Sequence, residues 1–321
     1  MMHVWVRLPL LLFFAIAAPV LAHDAKPPTV RAASTVDDTP PGTLDPVPLP
    51  PLANPNSPKI PAKELFARKL TPLRGPARSI GSYATGCLAG AVALPFSGPS
   101  WQVMRPSRDR YWGNPRLIRF IERLGKNAGK AGWNGLLVGD MSQPRGGPMI
   151  DGHSSHQIGL DVDIWFMPMP DHVLTPAERE FDPAVNVVAP DGLGVVPKVW
   201  TPAHMAAVRA AAKDPVVTRV FVNAAIKKEM CREAGSDRGW LSKVRPWWGH
   251  AEHFHVRLAC PAGSRTCKSQ SPPPAGDRCG RPLQHWFSAG ILHPKQEPPK
   301  RKHLLPLAGL PAGCRRVVMA P

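Results

Sequence analysis

Two segments of the chain alternate between apolar and polar residues with the period of a β-strand. Asp161 and Asp163 fall on one face of the first segment, and the apolar residues around them fall on the other. In the second segment the same period puts His253 and His255 on one face and turns the intervening apolar residues into a core. If the two strands lie side by side, two imidazoles and a carboxylate face each other, with His156 just before the first strand.

Further elements follow from apolar periodicity and from cap residues. Helices are predicted over residues 116–124, beginning near Asn114, over 203–213, with Thr201 as the N-cap, and over 224–231. Short strands are predicted at 135–139 and 219–222. Helices interspersed with short strands predict an α+β domain, in which a small, mainly antiparallel β-sheet carries the polar strand faces and is flanked by helices.

The two ends of the chain differ in composition from the middle. Residues 1–22 are typical of a secretory signal peptide, because an arginine precedes a short apolar run and a small-residue cleavage site. Residues 23–62 are rich in proline and are predicted to form an extended linker. The folded domain is predicted over 63–293, followed by a proline-rich tail, 294–321, that has little hydrophobic anchorage and is tied through Cys314. No segment is long and apolar enough for stable membrane insertion.

The chain carries a formal net charge of +17, from 40 lysines and arginines against 23 acidic residues. Such a balance can serve nucleic-acid binding, but the sequence contains no RNP-like aromatic motif, zinc finger or basic helix. Export also argues against a nucleic-acid partner. The charge fits a polyanionic cell envelope, or only general solubility and surface adhesion.

Six cysteines in an exported chain predict three disulfides. None of them belongs to a Cys-x-x-Cys pair, which disfavours a redox site or a thiolate metal site. The spacing favours a small Cys260–Cys267 loop. It leaves open the pairing of the other four, Cys87, Cys231, Cys279 and Cys314.

The histidines and aspartates of the two predicted strands indicate a metal site. Three nitrogen or oxygen ligands with one vacant position describe a catalytic zinc ion, whereas a structural zinc ion usually completes its shell with cysteine. The patterns of other hydrolases, His-Glu-x-x-His, Ser-x-x-Lys, Lys-Thr-Gly and Gly-x-Ser-x-Gly, are missing from the sequence. The residues therefore favour zinc chemistry over acyl-serine chemistry.

Five stretches of the sequence resemble one peptidase family. They are Gly139-Asp140-x-Ser142-x-Pro144-x-Gly146-Gly147, Gly152-His153-x-Ser155-His156-Gln157-x-Gly159-Leu160-Asp161-Val162-Asp163-Ile164, Arg219-x-Phe221-Val222-Asn223-x-Ala225-Ile226-Lys227, Lys243-Val244-Arg245-Pro246-Trp247 and His250-x-x-His253-x-His255-Val256-Arg257-Leu258. On these motifs the chain resembles the penicillin-insensitive murein endopeptidases, over residues 63–314. They belong to a wider group of zinc peptidases, including lysostaphin and the D-Ala-D-Ala metallopeptidases, whose signature is His-x6-Asp…His-x-His on a small antiparallel sheet.

The resemblance implies a role for individual residues of these motifs. It makes His156, Asp163 and His255 the zinc ligands. It makes His253 the catalytic histidine and His250 a further residue of the active site. It also implies the disulfide pairs Cys87–Cys314, Cys231–Cys279 and Cys260–Cys267, the last of which agrees with the spacing.

Some relatives hold a second zinc ion through the histidine matching His153 and an Asp-Gly-x-x-His loop. Here that loop begins at Asp191 and has Gly194 where its histidine would stand. One zinc ion is therefore expected. Asp161 is expected to support the ligand strand rather than to bind zinc.

The activity implied by the resemblance is hydrolysis of the D-alanyl–meso-diaminopimelyl cross-link of peptidoglycan, by a periplasmic enzyme insensitive to penicillin. Arg245, Arg257 or the 140–147 loop are candidates to bind carboxylates of the anionic stem peptides. Two alternatives use the same residues. One is a D-Ala-D-Ala carboxypeptidase, and the other is a non-catalytic envelope-binding protein with a structural zinc ion.

Overall fold

The computed structural model describes residues 46–55, 57–294 and 304–321. The predicted signal peptide, much of the predicted linker and the start of the predicted tail lie outside the described residues, so the proposed domain boundaries stay predictions. Within the described ranges, no helix is long and apolar enough to cross a bilayer.

The described residues form short strands and mostly short helices. The strands are β1 (Arg78–Ser82), β2 (Thr85–Ala89), β3 (Val92–Ala93), β4 (Ser97–Gly98), β5 (Trp101–Val103), β6 (Trp112–Gly113), β7 (Leu136–Val138), β8 (Asp161–Pro168), β9 (Val217–Val222), β10 (Val244–Pro246) and β11 (His253–Leu258). The α-helices are α1 (Ala62–Phe66), α2 (Pro115–Lys130), α3 (Pro176–Phe181), α4 (Pro202–Lys213), α5 (Ala224–Glu233), α6 (Arg281–Gln284), α7 (Ala289–Leu292) and α8 (Ala312–Met319). Turns of 3-10 helix lie at Pro106–Arg108, Gly239–Lys243, His285–Phe287 and Leu307–Gly309.

The central feature is a seven-stranded sheet with the order β10-β9-β11-β8-β7-β5-β4. The β9–β10 and β5–β7 pairs are parallel, and the other neighbouring pairs are antiparallel. The predicted α+β class with a mainly antiparallel sheet is confirmed. The sheet is larger than expected. Sequence periodicity did not predict β4, β5 and β10, because each has only two or three residues, too few to show alternation.

The predicted helices are confirmed, and their first residues explain where they begin. The side chain of Asn114 accepts a hydrogen bond from the Arg116 N–H at 3.0 Å, and Pro115 occupies the first position of α2. At the start of α4, His204 Nδ1 accepts from the Thr201 N–H at 3.1 Å.

The main core lies against the apolar face of β8 and β11. Val162, Ile164, Phe254 and Val256 are fully buried there, together with apolar side chains of α2, α4 and α5. Because side chains alternate across a strand, the polar residues of β8 and β11 share the opposite face. The hydrophobic pattern thus separates the core from the candidate site.

A second, smaller core lies beside the β1–β2 hairpin. It joins Phe66 of α1 to Leu310, Val317 and Val318, the last two on α8. The expectation that the tail has little hydrophobic anchorage is therefore wrong. The proline-rich composition of the tail hid the helix α8, whose Val317 and Val318 are each only 1% exposed.

The structure pairs the cysteines as the family resemblance implies. The bridges are Cys87–Cys314, Cys231–Cys279 and Cys260–Cys267, with sequence separations of 227, 48 and 7 residues. The described part of the chain has no free cysteine.

Replacing Cys87 and Cys314 together by serine should lower the free energy of unfolding by about 5 kcal/mol, because this bridge closes the longest loop. The same double substitution at Cys260 and Cys267 should cost about 2–3 kcal/mol, because the loop is short. Urea denaturation with the remaining disulfides intact compares the two variants. A larger loss for the short loop would contradict this chain-entropy argument.

Candidate metal centre

Neighbouring strands place the predicted site residues opposite each other. In the β8–β11 pair, His255 lies across from Asp163 and His253 lies across from Trp165. Asp163 and His255 are both buried, at 3% and 4% exposure. The predicted juxtaposition of the two strands is confirmed, with an imidazole and a carboxylate facing each other on the side away from the core.

His156 reaches the same point from the loop before β8. Its φ of 67° lies in the left-handed region, which is uncommon for a residue other than glycine. Its N–H donates a hydrogen bond to Asp161 Oδ2 at 3.1 Å. This contact helps to hold a strained backbone that directs a fully buried imidazole toward Asp163.

Three donor atoms of His156, Asp163 and His255 converge. His156 Nε2 lies 3.2 Å from His255 Nδ1 and 3.5 Å from Asp163 Oδ1. His255 Nδ1 lies 3.2 Å from the same carboxylate oxygen. Ligands bound to a tetrahedral zinc ion at about 2.0–2.1 Å are about 3.3–3.4 Å from each other. The triangle therefore has the size of a zinc site.

The hydrogen bonding of this carboxylate also fits a bound cation. Asp163 Oδ1 is buried and has no hydrogen-bond partner among the described residues, although two imidazole nitrogens lie within 3.5 Å of it. A buried, charged oxygen without a partner is costly. A cation among the three donor atoms would remove that cost, so the residues fit the expected metal.

A second set of donors overlaps with the first. Atoms of His153, His156 and Asp163 lie within 4.8 Å of one another, a grouping that could hold a metal ion. His153 Nδ1 is 3.5 Å from Asp163 Oδ2, and its Nε2 is 2.8 Å from Asp140 Oδ2. His153, which the resemblance associates with a second zinc ion, thus lies at the same centre. The geometry indicates a metal site that includes His156 and Asp163. Either His153 or His255 could supply the third ligand.

The carboxyl group of Asp163 is ionised at neutral pH. Burial is the strongest influence and opposes the charge, but the surrounding histidines, His253 foremost, hold the pKa of Asp163 well below its usual range. Burial also opposes ionisation of Asp140, yet Arg110 and then His153 keep its pKa well below the usual value. An ionised carboxylate among imidazoles is a donor set suited to a divalent cation.

Asp161 supports His255 from the side remote from Asp163. Its Oδ1 lies 3.2 Å from His255 Nε2, and its two oxygens accept hydrogen bonds from Arg257 at 2.8 and 3.2 Å. Burial opposes the charged imidazole, but Asp161 and then Asp163 outweigh it and raise the pKa of His255. A carboxylate behind a ligating histidine fixes the orientation of its ring. These contacts agree with the supporting role expected of Asp161.

His253 and His250 lie at the open side of the cluster. The side chain of His253 is 26% exposed, whereas that of His156 is fully buried. His253 Nε2 lies 3.7 Å from Asp163 Oδ2, and the His250 and His253 rings are 4.9 Å apart. Burial, followed by the charges of neighbouring histidines, lowers the pKa of His250 to about 3. Burial also lowers the pKa of His253.

A backbone contact fixes the tautomer of His250. Its Nδ1 lies 2.7 Å from the carbonyl oxygen of Trp248. Because a carbonyl can only accept, Nδ1 carries the proton and Nε2 of the neutral ring is left as an acceptor. His250 is therefore prepared to accept a proton or a hydrogen bond at Nε2.

Asp191, the other candidate for a second metal, does not join the cluster. It is exposed, and its carboxylate accepts a hydrogen bond from the Leu193 N–H at 2.9 Å. In the described part of the chain, no contact connects Asp191 with His153.

Two of the candidates for binding substrate carboxylates are engaged elsewhere. Arg257 is occupied by Asp161. Arg145, from the 140–147 loop, is 1% exposed and donates to carbonyl oxygens near the end of the chain, those of Val317, Ala320 and Pro321. Arg245 remains, since its buried Nη1 has no hydrogen-bond partner among the residues described.

Close packing explains the glycines of the 140–147 loop. A Cβ atom on Gly147 would lie 2.3 Å from the ring of Phe66, and one on Gly146 would lie 2.1 Å from the Gln157 carbonyl oxygen. Both glycines also have positive φ. The loop is therefore shaped around neighbouring protein segments.

Two neighbours of the cluster were missed by sequence reasoning. Asp140, just after β7, accepts a hydrogen bond from Arg110 Nη1 at 2.9 Å and contacts His153. Phe221 packs edge-on against His255, with 5.2 Å between ring centroids. Asp140 lies in the first family motif, which could have marked it. The partner of Phe221 depends on the β9–β11 pairing, which no local pattern reveals.

Asp161→Asn should destabilise the fold by about 3–5 kcal/mol at neutral pH, because it breaks a buried ion pair with Arg257. Burial opposes the charge of Asp161, but Arg257 and then His255 outweigh it and lower its pKa from 3.8. This stabilisation is therefore present above pH 3.8 and is lost as the pH falls below that value. Urea denaturation of both proteins with a chelator present should show a deficit that shrinks in acid. A deficit independent of pH would contradict the ion-pair explanation.

Comparison with known proteins agrees with the family resemblance. Residues 79–319 match the family model described as penicillin-insensitive murein endopeptidase, and this segment contains the whole metal cluster. The protein of that name from Klebsiella pneumoniae subsp. pneumoniae is 47% identical over 252 residues, 78% of this chain and 90% of the relative. The protein of that name from Haemophilus influenzae is 47% identical over 70% of this chain and 80% of the relative. The one from Escherichia coli O1:K1 is 46% identical over 72% of this chain and 86% of the relative. The chain therefore belongs to the penicillin-insensitive murein endopeptidase family.

Proposed function

We propose that this protein is a zinc-dependent murein endopeptidase that hydrolyses the D-alanyl–meso-diaminopimelyl cross-link of peptidoglycan in the periplasm. The observation that carries the proposal is the triangle of donor atoms from His156, Asp163 and His255, 3.2–3.5 Å apart, around an unpartnered carboxylate oxygen. Family membership and the names of the relatives support the substrate. Three disulfides fit an oxidising compartment outside the cytoplasm.

Two contacts favour His255 over His153 as the third ligand. His255 Nδ1 lies 3.2 Å from the unpartnered Oδ1 of Asp163, whereas His153 Nδ1 lies 3.5 Å from the other oxygen. The same His255 Nδ1 also lies 3.2 Å from His156 Nε2, which completes the triangle of donor atoms. An aspartate behind the ring orients both histidines, Asp161 for His255 and Asp140 for His153, so that contact does not distinguish them. His153, held by Asp140, then positions the Asp163 carboxylate from the side.

The chain's own residues carry the proton transfers. When bound, zinc supplies a Lewis acid that polarises the scissile carbonyl and makes water a stronger acid. Hydrolysis takes one proton from the attacking water and delivers one to the leaving amine. His253 and His250, 4.9 Å apart on the open side, are placed to share these transfers and to hydrogen-bond the developing oxyanion. Burial lowers the pKa of both rings, so each is neutral at neutral pH and can accept a hydrogen bond from the attacking water.

Arg245 is our candidate for binding a carboxylate of the stem peptide. It lies beside Phe221 in the β9–β10 pair, and Phe221 packs on His255. Its buried Nη1 lacks a partner in the described residues. A guanidinium in this position fits an anionic substrate.

Digestion of purified sacculi tests the proposed function. Mass spectrometry should show cross-linked dimers becoming monomers, and a zinc chelator, but not a β-lactam, should stop the reaction. Added zinc should restore it. Loss of a single alanine from pentapeptides, with cross-links intact, would instead identify a D-Ala-D-Ala carboxypeptidase. Binding to sacculi without any released product would identify the non-catalytic alternative.

A further inference from the structure

The side chains of three tryptophans beside the metal centre take no part in the chemistry described above. Trp247, Trp248 and Trp286 form this tryptophan cluster. The ring centroids are 5.0 Å apart for Trp247 and Trp248, 4.7 Å for Trp248 and Trp286, and 6.4 Å for Trp247 and Trp286. Trp247 is 41% exposed and the other two are half-buried. Large aromatic side chains grouped at a surface mark interaction sites in soluble proteins.

The tryptophan cluster is continuous with the metal centre. The ring of Phe221 lies 5.2 Å from that of His255 and 6.0 Å from that of Trp247. The carbonyl oxygen of Trp248 holds His250 at 2.7 Å. Only the ring of Phe221 therefore separates His255 from Trp247, and a molecule bound at the metal centre can extend onto the tryptophan cluster.

Two distant segments build this surface, and both are held in place. Trp247 and Trp248 directly follow β10. Trp286 belongs to the turn His285–Phe287, which follows α6, where Leu283 is buried at 4% exposure. The Cys231–Cys279 disulfide ties the chain just before α6 to α5. A surface fixed before binding loses little conformational entropy when a ligand packs on it.

We propose that the tryptophan cluster binds the glycan strand of peptidoglycan, by stacking on the N-acetylated amino sugar that carries the stem peptide. This inference rests on the proposed endopeptidase function. The C–H face of a sugar ring is flat and apolar, and indole offers a large flat partner whose N–H can meet a sugar hydroxyl. A stem peptide of four residues spans at most about 14 Å. The sugar can therefore lie on the cluster while the cross-link occupies the metal centre.

The test compares two substrates that share the same cross-linked peptide, one with its sugars and one without them. One is the cross-linked muropeptide dimer with its disaccharides, and the other is the same dimer after an amidase has removed them. Trp286→Ala should lower kcat/KM on the sugar-bearing dimer about tenfold, mainly through KM. The decrease in kcat/KM of this variant on the sugar-free dimer should be much smaller. Trp286→Phe, which keeps a flat ring, should recover most of the activity on the sugar-bearing dimer.

A matched control is Phe181→Ala, which removes an exposed aromatic side chain, 44% exposed, that makes no ring contact with the cluster. It should behave as wild type on both substrates. Equal losses for Trp286→Ala on both dimers, or no loss on either, would overturn the glycan proposal while leaving the endopeptidase function intact. Failure of the wild-type enzyme to cleave either dimer would instead overturn the proposed function.

Binding can also be measured without any variant. Titration of the wild-type protein with chitotetraose, a tetramer of N-acetylglucosamine, should change its tryptophan fluorescence in a saturable way. An unchanged spectrum up to millimolar sugar would contradict the proposal.

Discussion

His255→Ala should abolish zinc binding and reduce hydrolysis of cross-linked muropeptides by about 10⁴-fold or more, because the substitution removes one of three proposed ligands. His153→Ala provides the reciprocal test. It should retain zinc and lose about 10–100-fold in activity, as expected for a residue that positions a ligand. Zinc per chain is measured by inductively coupled plasma mass spectrometry, and rates by chromatography of the muropeptides.

Asp163→Asn serves as the near-isosteric companion, since it removes the charge and keeps the volume of a side chain buried at 3% exposure. It should lose zinc as His255→Ala does. Thermal unfolding with a chelator present checks that all three variants are folded. If His153→Ala lost the metal and His255→Ala kept it, the third ligand would be His153, the alternative grouping that the geometry allows.

His253→Ala should keep its zinc ion and lose about 10²–10⁴-fold in kcat, because His253 contributes proton transfer or oxyanion stabilisation rather than metal binding. Its Nε2 lies 3.7 Å from Asp163 Oδ2, farther than the nitrogen of either proposed histidine ligand lies from Oδ1. The kinetic constants, measured alongside the zinc content, separate the two effects.

His172 offers a control for His253, because its side chain is 60% exposed and contacts Glu178 instead of the cluster. His172→Ala should match the wild type in zinc content and in rate. Wild-type speed for His253→Ala would show that the catalytic role belongs to another group, with His250 the first candidate.

Alternation along two strands was enough to predict the main part of the site. The apolar residues of β8 and β11 had to share the core, so their polar residues had to share the other face. The structure shows this pairing as His255 opposite Asp163. The confirmed helices α2 and α4 were also predictable from local sequence, because each begins with an N-cap residue followed by proline.

Features that depend on long-range contacts could not be read from the sequence. The anchorage of α8 depends on a core shared with α1. The tryptophan cluster joins residues about forty positions apart. The choice between His153 and His255 as the third ligand depends on differences of a few tenths of an ångström between interatomic distances. The spacing of residues in a motif does not supply such differences.

X-ray anomalous diffraction at the zinc absorption edge, from crystals of the zinc-loaded protein, tests the proposed centre most directly. It should show a peak about 2.0–2.2 Å from His156 Nε2, Asp163 Oδ1 and His255 Nδ1, with one position open to solvent. A peak bonded to His153 in place of His255, or no zinc peak within this triangle, would contradict the account.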